Sequence, residues 1–249
     1  RLLGGPEATD RVRVYASGIG PEDVGETARR AHAAGYRAFK FKVGFGPERD
    51  VANFREIRAA LGDDATVMLD GNQAWRPEEA PARIAELAPF NPYWIEEPIA
   101  ADEPLRCWEA LARESAVPIA AGENLRGLDA FAEMIDAGVL KFVQPDVGKW
   151  GGISGCREVT LLARAKGVTF CPHWLGGGIG LAASLHLRAA MGAEGYAEVD
   201  VNPNPWRKGV FALRPVDGWV GLGNTAGMGV KRHLGALIQQ DATAKLDSA

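Results

Sequence analysis

Three carboxylates recur along the chain just behind short apolar runs: Asp70 in VMLDGN, Glu96 in YWIEEP and Glu123 in AAGENL. Three acids gathered at one place would repel one another. Hard oxygen donors with open positions suit Mg²⁺, Mn²⁺ being the alternative, whereas zinc would call for His or Cys. A single acid is as easily a helix cap, but three in register favour a metal. Glu97 competes with Glu96, because neighbours on a strand point to opposite faces. Lys40 and Lys42 in FKFKVG lie two apart, hence on one face of a strand. Two ammonium groups beside a cation disfavour each other's protonation, which makes Lys42 a candidate general base. The plain alternative is a pair of lysines snorkelling at a solvent edge. Asp146 in FVQPDVG and His173 in FCPHWL can pair, the carboxylate fixing the imidazole tautomer and raising its basicity. Glu198 in YAEVD would hydrogen-bond a substrate oxygen when protonated. Asn72, Lys149 and Trp174 stand beside these positions as substrate-binding candidates.

From Lys42 through Asp70, Glu96, Glu123, Asp146 and His173 to Glu198 the gaps are 28, 26, 27, 23, 27 and 25 residues. A strand, a turn and a covering helix use about that length, and a parallel barrel repeats the unit around one axis. Every strand of such a barrel ends at the same face, so the seven positions would converge. The pattern predicts strands over 12–16, 38–43, 66–69, 93–95, 118–120, 142–144, 169–171 and 196–199. Helices are expected over 21–35, 47–61, 77–87, 104–113, 128–137, 153–166 and 179–191. Pro21, Pro47, Pro77 and Pro104 are expected to open helices. The fold class is α/β, a TIM-type barrel. An open doubly wound sheet is the runner-up, but it would gather its polar residues near one switch point. A Pro/Gly-rich tail follows from Asn202, with a short helix expected over 231–239 and a frayed end.

The chain of 249 residues is 47% hydrophobic, enough for one large core, and carries a net charge of −4. No basic stripe points to nucleic acid or an anionic membrane, and no apolar run reaches the roughly 18 residues of a membrane span. Cys107, Cys156 and Cys171 form no paired framework, which fits a reduced, cytoplasmic setting. The run Gly176-Gly177-Gly178-Ile179-Gly180 does not match a dinucleotide fingerprint, since Leu181 holds the last position. It reads as a cradle for an anionic group or as a tight turn that needs glycine.

Taken together, K-x-K at Lys40 and Lys42, D-x-N at Asp70 and Asn72, IEEP around Glu96, GEN around Glu123, PDxxKxGG from Pro145 to Gly152, and the strand ends at His173 and Glu198 resemble the mandelate racemase subgroup of the enolase superfamily. The resemblance covers about residues 11–230. It implies a modified (β/α)₇β barrel over 1–230, with 231–249 a C-terminal helix and tail. It also implies Mg²⁺ on Asp70, Glu96 and Glu123, which selects Glu96 over Glu97. Lys42 would be one acid/base and the Asp146–His173 dyad the other, with Glu198 donating a hydrogen bond to the substrate carboxylate. Members carry an α+β capping domain, mostly N-terminal, that closes the pocket; no such domain is present in this chain, so its mouth is expected to be open and shallow.

The reaction so implied is removal of the α-proton of a hydroxy-carboxylate, an acid sugar, to a metal-stabilised enediolate, followed by β-elimination of water. Racemisation or epimerisation by the same route is the second expectation, and a catalytically silent metal- or carboxylate-binding protein the third. The expected partners are a small sugar-acid or hydroxy-acid substrate and further copies of the chain in a homo-oligomer.

Overall fold

The computed structural model of the chain describes residues 2–211, 213–225 and 227–230; the helix expected over 231–239 lies outside them. Strand and helix alternate as β1 (Arg11–Ile19), α1 (Val24–Ala33), β2 (Ala38–Lys42), α2 (Pro47–Leu61), β3 (Thr66–Asp70), α3 (Ala80–Leu87), β4 (Ile95–Glu96), α4 (Leu105–Glu114), β5 (Ile119–Ala121), α5 (Leu128–Asp136), β6 (Phe142–Val143), α6 (Gly152–Ala165), β7 (Thr169–Phe170), α7 (Gly178–Ala190) and β8 (Ala197–Asp200). Among the described residues only a one-turn helix, α8 (Pro205–Lys208), follows β8, which is the modified (β/α)₇β pattern. The order is β7-β6-β5-β4-β3-β2-β1-β8, each pair parallel. Side-chain and backbone contacts bridge β7 and β8, where the Tyr196 N–H meets Cys171 Sγ at 3.4 Å and the Trp174 N–H meets Glu198 Oε2 at 3.0 Å.

Helices cover the barrel because their apolar residues recur on one face. In α2, Phe54 and Ile57 are fully buried one turn apart, and in α4 Trp108 and Leu111 do the same. Pro47 opens α2 as expected, but Pro77 does not open α3. Residues 77–79 form a turn, and the helix begins at Ala80 with Pro81 in its first turn, where a missing N–H is harmless. The tail is less irregular than expected. It returns as β9 (Trp219–Gly221), antiparallel to the start of β1, with the Arg11 and Arg13 guanidinium groups 4.7 and 5.0 Å from the Trp219 ring. Among the described residues no helix is long and apolar enough to cross a membrane.

Inside the barrel the side chains form tiers. Tyr15, Ala38, Met68, Trp94, Ala120, Phe142 and Cys171 make one buried cluster with Tyr196 packed against it, one residue from each of the eight strand positions. Trp94 sits at its centre, its ring 5.5 Å from Tyr15 and 4.9 Å from Phe142. Side chains on a strand return to the same face every second residue. Two residues further on, the same strands present Ser17, Lys40, Asp70, Glu96, Gly122, Gln144, His173 and Glu198. The apolar floor thus fixes which residues form the tier above it.

Candidate active site

Lys40 is the hub of that polar tier. Its ammonium lies 2.6 and 2.7 Å from the two oxygens of Glu96, 2.8 Å from Glu198 and 3.8 Å from Asp70, with the Tyr15 ring 5.4 Å beneath it. Burial works against the charge, but Glu198 and Glu96 outweigh it and hold Lys40 well above the ordinary lysine value. Burial likewise pushes the Glu96 carboxyl up. The two short contacts to Lys40 and a third to Gln144, at 2.6 Å, nevertheless favour the carboxylate. Lys40 is therefore a fixed cation whose charge is already matched, which removes the simple picture of two lysines repelling each other. Lys42 stands higher and is partly exposed, 3.0 Å from Asn72 Oδ1 and 3.6 Å from Asp70.

His173 closes the other side. Its Nδ1 is 2.5 Å from Asp146 Oδ2, and its Nε2 is 2.6 Å from Glu123 Oε2 and 3.5 Å from Glu198 Oε2. Asp146 and His173 form a parallel bridge just beyond β6 and β7, so backbone register sets the dyad. The Gly148 and Lys149 N–H groups fix the second Asp146 oxygen at 2.7 and 3.0 Å. Burial opposes charge on the imidazole, yet Glu198, Asp146 and Glu123 together push it up to about 10. Glu123 is held below the usual carboxylate range: burial alone would raise it, and His173 and Lys149, the latter at 2.8 Å, prevail.

Glu123 reaches the site through a break in the alternation. The tier position on β5 belongs to Gly122, whose φ of +149° turns the chain so that the next residue points inward. A Cβ there would stand 2.7 Å from the Gln144 backbone, so only glycine fits. Glu97 also leaves the strand with φ of +38°. Its Oε2 accepts from Asn124 at 2.7 Å, while its Oε1 is buried without a partner. Burial and the neighbouring Glu123 raise its carboxyl to about 7.

A cavity of about 250 Å³ opens above the tier, its walls including Lys40, Lys42, Asp70, Glu123, His173 and Glu198. Asn72, Lys149 and Leu175 complete its mouth. This is below the roughly 300–1,000 Å³ of enclosed ligand sites. Glu96 lies one step beneath the cavity, and Asp146 stands behind His173. The Trp174 indole lies outside the cavity, over glycines: Cβ atoms at Gly148, Gly176 and Gly180 would come within 2.6, 2.9 and 2.0 Å of it. The glycine run thus makes room for a ring, whose Nε1–H donates to the Gly177 carbonyl at 2.9 Å. Glu198 accepts from Ser17 Oγ at 2.5 Å and from the Trp174 N–H. Burial would raise its carboxyl, but Lys40 and His173 prevail and lower it. Ser17 and Gln144 were not singled out from the sequence, although each follows an aromatic floor residue by two.

Asp70, Glu96 and Glu123 offer only carboxylate oxygens, the chemistry of a hard divalent cation. As placed, each is turned toward a cationic side chain. Among the described residues no three acidic, histidine or cysteine side chains are gathered into a cage. The donor chemistry fits Mg²⁺, whose charge would take the place of that which Lys40, Lys149 and His173 now bring to the same oxygens; buried Gln144 Oε1 is left without a donor.

The sequence profile of the enolase C-terminal domain-like family matches residues 23–233. The chain belongs to that family and to the enolase superfamily. D-Galactarolactone cycloisomerase of Agrobacterium fabrum is 32% identical over 96% of this chain and 67% of its own length. D-Galactonate dehydratase of Ralstonia nicotianae is 34% identical over 75% of this chain and 51% of its own. Among solved structures, a mandelate racemase/muconate lactonizing enzyme from Bordetella bronchiseptica RB50 superposes with a TM-score of 0.88 at 43% identity, covering 92% of this chain and 65% of that one. A racemase from Streptomyces coelicolor A3(2) with bound magnesium gives 0.81 at 30% identity, covering 94% and 64%. The chain spans about half to two thirds of the length of these relatives.

Proposed function

We propose that residues 1–230 form the barrel domain of an acid-sugar lyase that removes the α-proton of a hydroxy-carboxylate and then eliminates the β-hydroxyl as water. The observation that carries this reading is the meeting of Lys42 and the Asp146–His173 dyad at one cavity, on strands five apart along the ladder. Bound to Asp70, Glu96 and Glu123, Mg²⁺ would supply electrostatic stabilisation of the negative charge developing on the substrate carboxylate. Lys40, matched by Glu96 and Glu198, holds positive charge at the base of the cavity. Lys42 is placed to take the α-proton, and Asn72 orients its amine. His173 is placed on the other flank to protonate the departing hydroxyl: the C–O bond breaks, its electron pair leaves with oxygen, and the imidazole proton completes water. The enol product becomes the 2-oxo-3-deoxy acid by taking a proton at carbon.

Expulsion of a ring oxygen in place of water is the second reading, supported by the cycloisomerase relative that spans 96% of this chain. Reprotonation of the same carbon would instead give a racemase or epimerase. A panel of aldonic and aldaric acids and their lactones, incubated with the full-length gene product and Mg²⁺ in D₂O, tests all three. Formation of a 2-oxo-3-deoxy acid supports dehydration, ring opening without loss of water supports the second reading, and deuterated epimer supports the third. Absence of both product and α-proton exchange across the panel would end the enzymatic reading.

A further inference from the structure

Gln144 is completely buried in the polar tier, at the end of β6, and takes no part in the proton transfers above. Its Nε2–H donates to Glu96 Oε2 at 2.6 Å. The position is tightly defined. The Gln144 N–H is bonded to the Ala121 carbonyl at 2.9 Å, and Gly122 lies so close that any Cβ would strike the Gln144 backbone. The amide cannot turn over, because Oε1 would then face the carboxylate it now serves. Glu96 is thus held by two donors of different kinds. Lys40 brings a full charge that is shared with Glu198, whereas Gln144 brings a neutral N–H that fixes the carboxylate plane without adding charge against a bound cation.

We propose that Gln144 is a positioning residue for the cation site, fixing the plane of the Glu96 carboxylate beside Lys40 and thereby setting the metal affinity. This rests on the reading of Glu96 as a ligand. Partners of this kind alter metal affinity by about 10–100-fold when removed.

The test is Gln144→Met, which keeps length and burial but removes the amide, with Gln144→Asn as a second variant that keeps the amide but withdraws it from reach. Mg²⁺ and Mn²⁺ binding are measured by calorimetry on the full chain, alongside thermal unfolding of the metal-free protein. The expected result is a dissociation constant raised about 10-fold or more in both variants, with metal-free unfolding temperatures near that of the parent. An unaltered dissociation constant in whichever variants fold overturns the role of Gln144 while leaving the cation site in place. A parent protein that binds neither ion overturns both.

Discussion

The two tiers of the barrel interior are built from the same eight strands, two residues apart, and have opposite chemistry. The floor, with Tyr15, Met68, Trp94 and Phe142, is apolar and filled by volume. The tier above holds Lys40, Glu96, Glu198 and His173 almost as deeply buried, and it is filled by charge. Burying isolated charges is costly, and only mutual pairing makes the upper tier tenable. Neither tier is complete in its hydrogen bonds: the Tyr15 hydroxyl and Trp94 Nε1–H of the floor and Gln144 Oε1 of the tier above remain without partners. Position along the strand therefore separates what folds the barrel from what can react in it.

That separation can be broken most severely at His173. His173→Asn should lower turnover of an accepted acid sugar by about 10²–10⁴-fold, while α-proton exchange with D₂O persists through Lys42. Full turnover would remove the imidazole from the chemistry. At the floor the effect should reverse: Trp94→Ala should cost about 3–5 kcal/mol of stability, measured by denaturant unfolding, because it empties the centre of the aromatic cluster. A loss below 1 kcal/mol would mean that the floor is not the main packing tier. A smaller change should come from Gly180→Ala, whose new methyl would overlap the Trp174 ring. Overpacking costs about 1–3 kcal/mol, and the displaced indole should shift the tryptophan fluorescence. If emission and stability both stay constant, the glycine run exists for some other reason.

Much of this arrangement was legible because strand ends repeat at nearly equal intervals and because charged residues are conspicuous behind apolar runs. The bounds of α2 follow directly from Pro47 and Gly62. Gln144 was not singled out, since an uncharged amide resembles any loop residue until the two-residue offset from Phe142 is known. Glu123 was recognised as an acid at a strand end, but its route into the site depends on the φ of Gly122, which no periodicity reveals. The direction of the Trp174 side chain is illegible for a related reason: proximity to His173 in sequence says nothing about which way an indole turns when glycines open room beside it. β9 was missed because three residues, Trp219–Gly221, are too few to display alternation.

The aromatic floor also decides where solvent can meet the reacting proton. From Tyr15 to Cys171 its members are no more than 5% exposed, so the lower end of the barrel is sealed by packed rings and aliphatic groups. Exchange between His173 or Lys42 and bulk water must then run through the mouth, the same opening the substrate uses. Whatever lengthens the residence of a ligand there also delays isotopic washout from the nitrogens of these two side chains. The fraction of deuterium returned to substrate in place of solvent hydrogen consequently becomes a clock for how long the mouth stays covered during each catalytic cycle.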